Sequence, residues 1–100
     1  MFVYSVLAEF DAEADADRYV EWMRSCHLAE VCELSGATAE LVRLDGAAPR
    51  YEARYHFASP DAFVTYERDH APRLRAEGVA LFPTGVRFTR STGRSVLRAG

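Results

Sequence analysis

Tyr19, Trp22, Met23, Cys26 and His27 fall at i, i+3, i+4, i+7 and i+8. That is one apolar stripe of an α-helix, with Glu21, Arg24 and Ser25 on its other side. Such a helix must lay its stripe on an apolar surface, and the neighbouring runs offer a sheet. Phe2 to Phe10 alternates, with Phe2, Tyr4, Val6, Ala8 and Phe10 on one side and Val3, Ser5, Leu7 and Glu9 on the other. Tyr51 to Phe57 repeats the pattern: Tyr51, Ala53, Tyr55 and Phe57 oppose Glu52, Arg54 and His56. Each reads as a strand with one fully apolar face and one mixed face.

The remaining elements follow in order. Asp11 to Asp15 forms an acidic turn suited to the positive N-terminal end of a helix. That helix is expected over about Ala14 to His27. A less regular piece, Leu28 to Leu34, keeps Val31 and Leu34 near the core. Ser35-Gly36 ends it, with Gly36 as a left-handed C-cap. A second strand is expected over Ala37 to Leu44, and Asp45-Gly46 marks the turn into the third. Ser59-Pro60-Asp61 has a helix start's N-cap, N1 proline and early acid. Phe63, Tyr66, His70 and Leu74 continue at helical spacing, and Pro72 is expected to split the helix near His70-Ala71. A fourth strand, Val86 to Ser91, follows the turn Pro83-Thr84-Gly85.

The order is βαββαβ. With right-handed crossovers this gives an α+β ferredoxin-like sandwich, a four-stranded antiparallel sheet with both helices on one face. Residues 1–92 form the domain and 93–100 a frayed tail. The other sheet face would be bare, yet too apolar to be left in water. Two sheets stacked face to face would cover it, so a homodimer through the open sheet face, a dimeric α/β barrel, is expected.

One hundred residues make one domain. The net charge of −3 argues against nucleic acid as a partner. The charge is uneven: residues 1–50 hold ten acids and four Arg, and residues 51–100 hold five acids and eight Arg. Lys, Ile, Asn and Gln are absent, which reads as the coding bias of a GC-rich genome and warns against giving each Arg a special task. The N-terminus lacks the basic region of a signal peptide, so a cytoplasmic protein with Cys26 and Cys32 reduced is expected. No apolar run approaches the roughly 20 residues that span a bilayer, so no membrane association is expected.

The opening Val3-Tyr4-Ser5-Val6, the helix with Trp22-Met23 and His27, and Gly36 after it form one set of marks. Tyr51, Tyr55, Tyr66, the run His70-Ala71-Pro72-Arg73-Leu74-Arg75, Phe82 and Arg87-Phe88 extend it along nearly the whole chain. In these residues the chain resembles the small bacterial proteins grouped as domain of unknown function 4286, within the dimeric α/β-barrel superfamily. The resemblance implies the fold and the dimer, and it implies no activity. Related dimeric barrels include polyketide cyclases, cofactor-free monooxygenases, haem-degrading enzymes and ligand-sensing domains.

His27 ends an apolar stripe, where a half-buried imidazole could act as general acid or base; equally, it could hold the helix–strand joint. Haem ligation by His27 would need an open apolar pocket beside it. Cys26, His27 and Cys32 fit no common zinc spacing, so the cysteines read as core residues and no metal is expected. Glu67-x-x-His70 has the spacing of a di-iron motif without the helical bundle that such a site needs. Tyr4, Trp22, Met23, His27, Tyr55 and Tyr66 could line a pocket for a small aromatic or acidic ligand between helix 1 and the sheet, or simply fill the core. On the other sheet face, Arg54 and His56 could bind a small acid, or Glu9, Glu40, Arg54 and Arg87 could pair across a dimer. No nucleophile elbow, glycine-rich nucleotide loop or Walker sequence is present, and no cofactor is expected. Three functions follow: a small-molecule-binding homodimer, a cofactor-independent cyclase- or monooxygenase-like enzyme using His27, or an accessory protein without a ligand.

Overall fold

The computed structural model describes residues 1–100. The elements are β1 (Phe2–Phe10), α1 (Glu13–Trp22), a π-helical segment (Met23–His27), α2 (Leu28–Ser35), β2 (Thr38–Arg43), β3 (Arg50–Phe57), α3 (Pro60–Asp69), α4 (Ala71–Leu81) and β4 (Val86–Arg94). The strands form one antiparallel sheet in the order β2-β3-β1-β4. This is the ferredoxin-like α+β arrangement.

The two alternating runs build the centre of the sheet. Tyr4 pairs with Tyr55 and Ala8 with Tyr51 across β1 and β3. Phe2, Tyr4, Ala8, Phe10, Tyr51, Ala53, Tyr55 and Phe57 are all buried, facing Tyr19, Met23, Val31, Tyr66 and Leu74 from the helices. The side carrying Val3, Leu7, Val42, Glu52 and Arg54 is half-buried and has no helix over it.

The local signals act as their chemistry requires. The Ser59 hydroxyl accepts from the Ala62 N–H at 3.1 Å and caps α3. His70 stands between α3 and α4, with Pro72 in the first turn of α4. Gly36 takes φ 73°, and its N–H donates to the Cys32 carbonyl.

Three expectations are corrected. First, the helix does not loosen at Leu28. It continues to Ser35 through one wide turn, in which the Leu28 N–H donates to the Met23 carbonyl, five residues back. The Ser25 hydroxyl donates to the Glu21 carbonyl in the same turn. Met23 and Val31 are eight residues apart, which would leave them about 80° out of phase on an α-helix. The wide turn absorbs one residue and brings them within about 20°, so both are buried. Second, the same shift turns Cys26 and Leu34 outward: Cys26 is exposed and not a core residue, and Leu34 is 37% exposed. Cys32 is only half-buried. Third, β4 runs past Ser91 to Arg94, because Thr92, Gly93 and Arg94 pair with Tyr4, Val3 and Phe2.

Candidate functional site

A cavity lies between α1, α4 and the middle of the sheet. Tyr4, Val6, Tyr55 and Phe88 form its floor, Tyr19, Trp22 and His27 one wall, and Tyr66, Leu74, Gly78 and Val79 the other; Arg75 and Arg90 complete it. The cavity volume is about 60 Å³, and the cleft including its open mouth measures about 550 Å³. At roughly 10–15 Å³ per water-sized site, the cavity has room for about four to six water-sized groups, and a ligand can extend into the open mouth.

The wide turn of the helix builds one wall. Trp22 and His27 are five residues apart and would diverge by about 140° on an α-helix. The five-residue bonding pattern of the π segment sets them on the same side. Their rings stack, with centroids 4.2 Å apart and planes inclined by 19°. Gly78 makes room on the facing helix, where a Cβ would stand 3.5 Å from Trp22 Cη2. His27 Nδ1 is buried and has no hydrogen-bond partner. Burial lowers the His27 pKa from its ordinary 6.5 to about 4, with Glu77 opposing the shift. The imidazole is therefore neutral near pH 7. Burial also raises the phenol pKa values of Tyr19, Tyr55 and Tyr66, that of Tyr66 to about 12. These hydroxyls stay protonated.

The polar end is built by α4 and β4. Arg75 donates from one terminal nitrogen to Glu67 Oε1 at 2.6 Å and to the Tyr4 hydroxyl at 3.2 Å. Its Nε is buried without a partner. Arg90 follows Val86 and Phe88 on the side of β4 that faces the helices, opposite Val6. Its guanidinium carbon is 5.9 Å from the Phe88 ring centroid.

Of the residues expected from sequence, Tyr4, Trp22, His27, Tyr55 and Tyr66 come together on this cavity. Met23 does not line it: one residue beyond Trp22, it points into the core and is 2% exposed. Arg54 is held by Glu52 and Glu40 on the open sheet face, so it does not form a free anion site with His56. Arg73 and Arg87 reach back to Glu30 and Asp11, linking the basic half to the acidic one; the Arg87–Asp11 pair is exposed and of small energetic weight. No three His, Cys, Asp or Glu side chains come together as a metal site needs. No helix is long and apolar enough to cross a membrane.

Arg75, Gly78 and Arg90 join the site without having been singled out from sequence. Arg90 was legible, since it shares the two-residue period of Val86 and Phe88 and so falls on the inner side of β4. Arg75 and Gly78 carried no such signal, because the face of α4 that reaches the cavity depends on the break at His70.

The family described as Domain of unknown function (DUF4286) matches residues 1–96. The chain belongs to this family. No curated protein matches it. Among solved structures, a dimeric ferredoxin-like protein from an uncultured marine organism is similar at 15% identity, covering 98% of this chain and 97% of that one, with a TM-score of 0.72. The haem degrader MhuD from Mycobacterium tuberculosis, with two haems bound in its active site, is similar at 19% identity over 100% of both chains, with a TM-score of 0.70. SnoaB, a cofactor-independent oxygenase from Streptomyces nogalater, is similar at 17% identity, covering 97% of this chain and 95% of that one, with a TM-score of 0.70. At these identities the likeness establishes the fold.

A haem does not fit the cavity of this DUF4286 member. Its volume of about 60 Å³ is well below the roughly 300–1,000 Å³ of pockets that bury a large ligand.

Proposed function

We propose that this protein is a small-molecule-binding homodimer, working in the cytoplasm, whose ligand enters the cavity between α1, α4 and the sheet. One observation carries the reading. His27 Nδ1 and Arg75 Nε are both buried without partners, and both residues line the same, otherwise mainly apolar cavity. A buried polar atom left unpaired costs about 1–3 kcal/mol, and a ligand with polar atoms at these points removes that cost. The homodimer reading rests on the open sheet face, where Val3, Leu7 and Val42 stand among charges that already pair within the chain. Light scattering should return about twice the 11.2 kDa of one chain.

A cofactor-independent enzyme with His27 as general base is the second reading, favoured by the same unpartnered nitrogen. Its strength as a base argues against it. A catalytic base works best with a pKa near the working pH, and burial holds His27 near 4. The imidazole is better suited to a hydrogen bond with a ligand than to moving protons.

Trp22 is the chain's single tryptophan and lies in the cavity wall, so its indole N–H resonance reports on occupancy. Gly78→Leu places a side chain against that indole without straining the backbone, since Gly78 lies within α4. Single-ring aromatic compounds should shift the Trp22 resonance of the wild type saturably. Gly78→Leu should weaken this at least about ten-fold while leaving circular dichroism unchanged. A wild-type resonance that no such compound moves would contradict the reading.

A further inference from the structure

Arg75 and Arg90 are the only charged residues in the cavity lining, and no carboxylate lines it. Glu67 neutralises Arg75 from the outside: it lies in the adjoining groove, which shares Tyr4, Arg75 and Arg90 with the cavity. Arg90 enters none of the chain's ion pairs. With His27 neutral, two guanidiniums and one carboxylate leave a single positive charge at the polar end. Arg90 is close enough to the cavity wall to oppose, in part, the effect of burial on the Tyr19 and Tyr66 phenols. Arg90 lies on the helix-facing side of the edge strand β4, after Val86 and Phe88, at the solvent-exposed rim of the cavity.

The geometry points to a compact aromatic carboxylate as the ligand, its carboxylate between Arg75 and Arg90 and its ring against Tyr55 and the Trp22 indole. The inference rests on the cavity reading above and adds the charge and class of the ligand. Arg75 Nε supplies a donor that no protein group uses, and Arg90 supplies a guanidinium free of any acid. One unbalanced charge matches a carboxylate better than a phosphate monoester, which carries about −1.5 to −2 near neutral pH. The small cavity volume favours one ring over several.

Benzoate and benzamide test this, because they share a ring and a shape and differ in charge. Both are titrated against the full chain while the Trp22 indole N–H is followed. Benzoate should bind at least about ten-fold more tightly than benzamide. Arg90→Met keeps an apolar stem on an exposed residue and should therefore fold. It should bring the benzoate affinity down at least about ten-fold and abolish most of the preference over benzamide. If both probes shift Trp22 with equal affinity, the cavity reading stands and the carboxylate inference falls. Were the preference for benzoate to persist in Arg90→Met, the role of Arg90 would be overturned. If neither probe moves Trp22, the cavity reading fails and the inference fails with it.

Discussion

Phe57→Ala should lower the free energy of unfolding by about 3–5 kcal/mol, the range for emptying a buried aromatic site. Phe57 is fully buried at the end of β3. Its ring packs edge-on against Phe2 at 6.4 Å and Phe63 at 5.2 Å, and it meets Tyr66 at 5.6 Å. These partners come from β1 and α3, so the ring joins the sheet to the helix that carries Tyr66 of the cavity wall. Domains of this size have only about 5–15 kcal/mol of stability, so the variant should lose a large part of the total. Urea unfolding measures it. Val64→Ala, on the exposed side of α3, serves as control and should stay within about 0.5 kcal/mol of the wild type. Equal losses in the two variants would mean that the core does not close at Phe57.

His27 should make the protein acid-sensitive over a defined window. Its pKa is about 4 when folded and 6.5 ordinarily. Between these values the unfolded chain binds the proton more readily than the folded one, so stability falls as pH falls. The contribution is intact above pH 6.5 and lost as pH drops through about 4. At about 1.4 kcal/mol for each tenfold difference in proton affinity, the full loss is about 3 kcal/mol. The cause is removal of the imidazole from water beneath the Trp22 ring, and Glu77 offsets only part of it. His27→Leu cannot titrate and keeps an apolar side chain in the wall. Unfolding measured at pH 7.5 and pH 4 should show the wild type losing about 3 kcal/mol more than His27→Leu, since every other carboxylate and histidine is common to both. Parallel losses would show that His27 is as well solvated in the folded state as in the unfolded one.

The sheet was largely legible in the residues, and for a plain reason. In β1 and β3 the two-residue period carries burial directly, so Tyr4, Tyr55 and Phe57 could be assigned to the inner face from spacing alone. Ser59, Pro60 and Pro72 act within one turn of themselves, so the start of α3 and the break before α4 were legible too. The wide turn at Met23–His27 was not. It comes from a choice of backbone hydrogen bond that Ser25 assists, and a helical wheel drawn at a constant angle per residue cannot show it. That turn decides the site. It stacks His27 on Trp22, turns Cys26 outward and brings Val31 into line with Met23. The polar end escaped for another reason. Arg75 is ordinary in a chain whose only long basic residue is arginine, and its Nε becomes distinctive only when the fold buries it without a partner.

A dimer of this chain that holds a small molecule between the helices and the sheet has a direct signature in its mass. Native mass spectrometry of freshly purified protein, under conditions that preserve non-covalent contacts, reads both features at once. The spectrum should show twice the chain mass plus a reproducible small adduct, and Gly78→Leu should lose the adduct while keeping the dimer. A species at the mass of one chain, or an adduct unchanged in Gly78→Leu, would contradict the cavity-bearing dimer.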